Sequence, residues 1–153
     1  MVFLYRKFLM QDPFRKWARI ALFNLVLVAL VGIILRYKIL FPLPQVAHKD
    51  LLHGHSHFAF TGWVSLALFT ALCRLISPDP EALKRYSRLF LLLYLSALGM
   101  LFSFPFGGYR FISILFSTLS ICISYVLCYY CWKDLSVSRV SKEQQYWFKA
   151  GLA

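Results

Sequence analysis

Charged residues are scarce in this sequence of 153 residues, and acidic ones are the scarcest. Only 15% of the residues are charged, while 60% are hydrophobic and the mean hydropathy is +0.65. A soluble domain needs a more polar outer surface than this composition can supply. The sequence therefore excludes a soluble globular protein and indicates one that is surrounded by lipid.

The six carboxylates all fall outside the long apolar runs of the sequence. General acid or base catalysis inside the bundle therefore has no candidate carboxylate. The sequence also contains no Ser-His-Asp order, no phosphate-binding glycine loop and no zinc-protease helix motif. The carboxylates are Asp12, Asp50, Asp79, Glu81, Asp134 and Glu143.

Linkers, repeats and low-complexity segments are also absent, which indicates a single domain over residues 1–153. Four apolar runs are long enough to cross a bilayer, since one helical span takes about 20 residues. Prolines follow the first two runs, and a Gly-Gly pair separates the last two. We therefore predict an all-α, four-helix transmembrane bundle with spans at residues 18–41, 51–76, 89–106 and 109–132.

Lysine and arginine are distributed unevenly between the two sides of this topology. Thirteen lie on the side that holds both termini, and four lie on the other side. The positive-inside rule then places both termini in the cytoplasm, and we expect an integral protein of a bacterial inner membrane. The net charge of +11 is explained by topology, so we expect lipid and not nucleic acid as the partner.

The C-terminal residues 146–153 are aromatic and apolar, as at the start of another membrane segment. We expect a truncated fifth span there. The chain would then be the N-terminal part of a longer protein.

All four histidines lie within ten residues, at the start of the second predicted span. On an α-helix, residues four apart share a face, whereas residues two apart point in nearly opposite directions. His53 and His57 should therefore share one face. His55 should lie on the other, which Ala59 and Gly62 continue with side chains small enough for a flat, bulky group to approach.

An imidazole inside a membrane is a candidate ligand for haem iron, copper or zinc, because burying an ionisable group there is costly. His53, His55 and His57 are the candidate metal ligands. Water and lipid head groups could instead satisfy a ring at the membrane surface. We favour that interpretation for His48, and it stays open for His53.

The segment from Leu52 to Trp63 reads Leu-His-Gly-His-Ser-His-Phe-Ala-Phe-Thr-Gly-Trp. It resembles the second transmembrane helix of the haem-copper oxidase subunit I superfamily. The resemblance implies that His55 is an axial ligand of a low-spin haem, since a histidine near the outer end of that helix has this role in the family. The cofactor-binding residues would then be His55, His57, Ala59, Gly62 and Trp63.

The sequence departs from that family because no histidine follows His57. The family's second haem ligand, copper ligands and catalytic haem ligand lie on later helices. The chain alone would therefore not reduce oxygen and would supply one axial ligand, with the second coming from a missing C-terminal region or another subunit. We expect a haem-binding membrane subunit of a respiratory or oxidase-like electron-transfer protein.

Two other functions stay open. In the first, a transporter or sensor holds a divalent ion such as copper or zinc between His53 and His57, with His48 or Asp50 completing the shell. In the second, a structural assembly subunit docks another chain through small residues. Such residues recur along the third and fourth spans, at Ser96, Gly99, Ser103 and Gly107 and at Ser113, Ser117, Ser120, Ser124, Cys128 and Cys131.

Overall fold

The computed structural model describes residues 13–41, 43–76, 80–136, 138 and 140–152. Five helices account for the regular structure of this part of the chain, which contains no strand. They are α1 (Pro13–Leu40), α2 (His48–Ile76), α3 (Pro80–Gly107), α4 (Phe111–Leu135) and α5 (Lys142–Leu152).

Helices α1 to α4 are each long and apolar enough to cross a membrane. Their most apolar stretches are at most one-third buried within the bundle, so most of their surface faces outward. Only lipid or other apolar chains can cover so much exposed hydrocarbon. The predicted all-α bundle of four membrane helices is therefore confirmed, and the chain is an integral membrane protein.

Helices α2 and α3 form the centre of the bundle, and each contacts the other three long helices. Helix α1 packs mainly along α2, and α4 packs mainly along α3. One end of the bundle contains the starts of α1 and α3 and the ends of α2 and α4, and we call it the basic end. The opposite end contains the histidines.

A core of large apolar side chains fills the half of the bundle nearer the basic end. Tyr86, Phe90 and Leu93 of α3 are fully buried there against Trp17 of α1. The Trp17 ring meets Phe90 edge to face, at 5.8 Å between ring centroids, and its Nε1 donates a hydrogen bond of 2.8 Å to Ser87. This aromatic contact fixes α1 against α3.

A polar cluster at the basic end links α3 to α4. The carboxylate of Asp134 accepts hydrogen bonds from the Arg85 guanidinium at 2.5 Å and from the Tyr86 hydroxyl at 2.6 Å. The same guanidinium lies over the Tyr130 ring at 4.3 Å. Asp134 therefore belongs to the last turn of α4 and is paired there, whereas we had placed it in a connection.

Helices α3 and α4 pack closely through small residues, as the sequence suggested. A Cβ built on Gly99 would lie 2.5 Å from the Phe116 ring, so only glycine lets the two helices approach this far. Ser96, Ser120 and Ser124 donate hydrogen bonds to carbonyls of their own helices. These serines serve packing, because their hydroxyls are satisfied locally.

The turn between α3 and α4 depends on Gly108, which has a φ of +57°. This left-handed conformation is readily accessible only to glycine. A Cβ there would also lie 3.0 Å from the Asp50 carboxylate of α2. The predicted glycine turn is confirmed, and it lies against the start of α2.

Two helices extend well beyond the apolar spans that we predicted from the sequence. Helix α3 begins at Pro80 and not at residue 89, and α2 begins at His48 and not at residue 51. Polar residues continue a helix without adding hydropathy, and proline fits the first turn, where its missing N–H is not needed. Pro42 and residues 77–79, which we expected to separate the spans, lie outside the described residues.

The remaining boundaries differ less. Helix α1 covers residues 13–40 where we predicted 18–41, and α4 covers residues 111–135 where we predicted 109–132. The region of the expected fifth span falls largely within α5, an 11-residue helix that contacts α4. Whether a fifth span exists stays a prediction.

We predict that Gly99→Ala lowers the thermal stability of the protein in lipid nanodiscs. Alanine normally favours a helix, but here its methyl group would force α3 and α4 apart, at about 1–3 kcal/mol. Gly151→Ala is the matched control, because nothing lies within 4 Å of a Cβ at that position. Equal unfolding temperatures for the two variants would contradict the close packing.

Candidate functional site

His53 and His57 share one face of α2 and lie against α3. The His57 ring stacks on Phe104 at 4.9 Å between centroids with an interplanar angle of 5°, and His53 lies 6.3 Å from the same ring. The Tyr109 ring meets His53 edge to face at 4.8 Å. Its hydroxyl also lies 3.4 Å from Nδ1 of His53. The predicted shared face is confirmed, and aromatic rings cover it.

His55 points the other way, toward α1. Its Cε1 lies 3.5 Å from the position that a Cβ on Gly32 would occupy, so the ring packs directly on the α1 backbone. The Nδ1 atom of His55 is buried and has no hydrogen-bond partner among the described residues. His55 is therefore held at the α1–α2 interface by packing, and the part of the chain that the structure describes offers its Nδ1 no partner.

The divergence of the two faces prevents the three histidines from binding one ion. Among the described residues, no three His, Cys, Asp or Glu side chains lie close enough together to hold a metal. The expected set of His53, His55 and His57 is therefore not brought together as a single metal site. His55 remains a candidate for a cofactor that needs only one ligand from this chain.

His48 and Asp50 do not complete a shell around the other histidines. His48 is the first residue of α2 and is exposed, which agrees with the solvated interpretation. Asp50 lies in the first helical turn, where a negative charge favours the positive end of the helix dipole. Its carboxylate faces Gly108 in the turn between α3 and α4.

A π-helical segment, Ala59–Ser65, interrupts α2 immediately after the histidines. In a π-helix the hydrogen bonds reach one residue further, so the winding changes and side chains no longer follow the 3.6-residue repeat. Such segments are frequent at functional sites. The Asn24 side chain of α1 donates a hydrogen bond of 2.6 Å to the Gly62 carbonyl within this segment.

Two of the expected cofactor-binding residues, Ala59 and Gly62, lie within the π segment. A Cβ on Gly62 would lie 2.8 Å from the Phe58 ring and 3.3 Å from Ala97 of α3. The space that we expected above Gly62 is therefore filled, and Gly62 faces α3 instead of continuing the face of His55. Ala59 is half-buried at the start of the same segment.

Trp63 lies on the α1 side of α2, near Phe14 and Ala21. His55 and Trp63 are thus the two expected cofactor-binding residues that the structure places toward α1. His57 is not among them, because its ring stacks on Phe104 of α3. The five predicted residues therefore do not form one wall.

Sequence reasoning missed Asn24, which is fully buried in the middle of α1. A polar amide in a membrane is costly unless it has a hydrogen-bond partner. The presence of an asparagine inside an apolar run was therefore the signal that could have identified Asn24. Its partner could not be predicted, because the Gly62 carbonyl is accessible only where the π segment alters the helix.

Comparisons with known proteins do not assign a function to the chain, so a functional assignment has to rest on the geometry of the site. No protein-family model, no curated protein and no solved structure matches the chain.

We predict that Asn24→Leu speeds amide hydrogen exchange in residues 59–65. The substitution removes the donor to the Gly62 carbonyl, and a lost hydrogen bond of this kind costs about 1 kcal/mol. Exchange measured by mass spectrometry in nanodiscs should rise in this segment more than elsewhere in α2. Phe23→Leu, at an exposed neighbouring position, is the control. An unchanged exchange pattern in Asn24→Leu would show that Asn24 does not stabilise the π segment.

Proposed function

We propose that this protein is a haem-binding membrane subunit of an electron-transfer system, with His55 as one axial ligand. One observation carries the proposal. The His55 ring is held at the α1–α2 interface, and its buried Nδ1 has no hydrogen-bond partner among the described residues. A buried polar nitrogen without a partner costs about 1–3 kcal/mol, so its retention suggests a group that the ring serves.

The His55 imidazole packs directly on the α1 backbone, because Gly32 contributes no side chain on the facing surface. A cofactor would therefore reach the buried Nδ1 beside this contact. The two other half-buried histidines contact Phe104 and Tyr109 on the opposite side of α2. His55 is half-buried too, and its Nδ1 atom is buried without a partner among the described residues.

The resemblance of residues 52–63 to the second helix of haem-copper oxidase subunit I favours the same residue. It also requires His55 to lie toward the outer leaflet. His55 is at the end of the bundle opposite the basic end, so cytoplasmic termini would satisfy this requirement. We propose that orientation, in the cytoplasmic membrane of a bacterium.

The protein would hold haem with an imidazole in a low-dielectric environment, and bound haem would supply one-electron redox chemistry. The role of the chain is to fix the His55 ring, exclude water and keep the surroundings apolar. His48 precedes His55 by seven residues, on the same side of α2, but it is exposed at the first residue of the helix. The second axial ligand would therefore come from another subunit or from further sequence, and the chain alone would not be an oxidase.

A divalent-ion transporter or sensor has less support. No more than two of the four histidines share a face of α2, and Asp50 is directed toward Gly108. The described residues contain no three-ligand group. Zinc or copper bound in proportion to the protein, and lost in His53→Ala, would favour that function over haem binding.

We predict that the protein, produced in a host that makes haem and purified in nanodiscs, gives a Soret band and a reduced-minus-oxidised haem spectrum. His55→Ala should abolish both signals, because the axial ligand is lost. His53→Ala should retain them, since His53 lies on the other face of α2 at nearly the same depth. Absorption spectroscopy with haem quantification is the measurement.

A His55→Gly variant distinguishes ligation from folding. Added imidazole should restore the haem spectrum of this variant, since a free ring can occupy the vacated position. Gly32→Phe should weaken haem binding while His55 is intact, because its side chain would displace the imidazole that packs on Gly32. A wild-type protein without a Soret band after reconstitution with haem would exclude the proposal.

A further inference from the structure

Two cysteines from different helices meet inside the bundle near the basic end. Cys73 lies near the end of α2 and Cys131 near the end of α4, and both side chains are fully buried. Both are free thiols, and their Sγ atoms share a hydrogen bond of 3.5 Å. The fold therefore pairs Cys131 with a distant cysteine of α2, which the Cys-x-x-Cys spacing of Cys128 and Cys131 does not reveal.

The cysteine pair begins a chain of hydrogen bonds that ends at a carboxylate. The side chain of Cys131 also has a hydrogen bond with Tyr86, whose hydroxyl donates to Asp134 at 2.6 Å. A tyrosine hydroxyl has only one proton. Because Tyr86 gives that proton to Asp134, the Cys131 thiol is the donor to Tyr86. The Cys73 thiol is then the donor to Cys131, so both thiol protons are directed along the chain toward Asp134.

The carboxylate end of this chain is accessible to water, although the thiols are not. The side chains of Arg85 and Asp134 are 32% and 21% exposed. Asp134 follows Cys131 by three residues, which is about 4.5 Å along the helix axis. A small neutral molecule that enters beside Asp134 is therefore within one helical turn of Cys131. A second protein cannot bring a disulfide to sulfurs that are fully buried, so an oxidant of these thiols has to be small.

We propose that Cys73 and Cys131 form a redox modification site, at which a hydroperoxide such as hydrogen peroxide oxidises the two thiols to a disulfide. The disulfide would join α2 to α4 at the basic end. The sulfurs must approach by about 1.5 Å, since an S–S bond is about 2.0 Å long. Small side-chain rotations supply a movement of this size. A disulfide is also neutral, so the low-dielectric interior accepts it more readily than a thiolate.

The hydrogen-bond chain supplies the thiolate that attacks the peroxide. The Cys131 proton moves to the Tyr86 hydroxyl as the hydroxyl proton moves to Asp134. The Cys131 sulfur then forms a bond to one peroxide oxygen, the O–O bond breaks, and the departing hydroxide takes the proton from Asp134 and leaves as water. The product is a sulfenic acid on Cys131.

Cys73 completes the reaction. Its sulfur attacks the sulfur of the sulfenic acid, the S–O bond breaks, and the leaving hydroxide takes the Cys73 proton to form a second water. Two thiols and one hydrogen peroxide thus give one disulfide and two waters. The two sulfurs are oxidised, and the two peroxide oxygens are reduced.

The test exposes the purified full chain in nanodiscs to hydrogen peroxide, blocks the remaining thiols and maps disulfides by mass spectrometry after digestion with trypsin. The peptides of residues 50–74 and 111–133 should be joined through Cys73 and Cys131. Cys131→Ser should abolish the link. Cys122→Ser is the matched control and should retain it, because Cys122 is on the same helix but is exposed.

Two further variants separate the chemistry from folding. Cys73→Ser removes the second thiol, so the sulfenic acid on Cys131 should persist and be trapped by dimedone. Tyr86→Phe keeps the buried ring but removes the proton relay, and it should slow disulfide formation about 100-fold, a typical contribution of proton transfer. Tyr125→Phe, at a position that is 72% exposed, should react at the wild-type rate.

Three results would overturn the proposal. The first is the absence of a joined peptide after peroxide treatment of the wild type. The second is a link from Cys73 or Cys131 to Cys122 or Cys128 in place of the expected one. The third is disulfide formation in Tyr86→Phe at the same rate as in Tyr125→Phe.

Discussion

The absence of water inside a bilayer is the constraint on which this structure depends, because every polar group there must find a partner within protein or ligand. Most polar groups of the described bundle do so. The amide nitrogen of Asn24 donates to the Gly62 carbonyl, Asp134 accepts from Arg85 and Tyr86, and Ser96 and Ser124 bond to their own helices. Six buried side-chain atoms remain without a partner among the described residues. Of these, Nδ1 of His55 belongs to the imidazole that we propose as a haem ligand.

The arrangement of the histidines was largely predictable because it follows from helix geometry. A separation of four residues placed His53 and His57 together against Phe104, and a separation of two directed His55 to α1. The four spans were predictable for a similar reason, since hydropathy reports directly on the solvent that a helix meets. These features depend on local sequence alone, so no knowledge of neighbouring helices was needed.

The remaining features depend on contacts between helices, which the sequence pattern does not contain. The π segment redirected Gly62 toward Ala97, where the Phe58 ring fills the space that a cofactor was expected to use. Hydropathy did not reveal the start of α3 at Pro80, because the first turns of this helix are charged. One of these charged residues, Arg85, pairs with Asp134 of α4. Periodicity placed the histidines correctly only because they precede the π segment.

The central claim is that His55, and no other histidine of this chain, binds haem iron. Its most direct test is a variant that keeps His55 alone, with His48, His53 and His57 replaced by glutamine, labelled with ¹⁵N-histidine and loaded with haem. Electron-nuclear double resonance of the ferric haem should then show coupling to a ¹⁵N-imidazole nitrogen. A reverse variant that lacks only His55 but still shows this coupling would contradict the account.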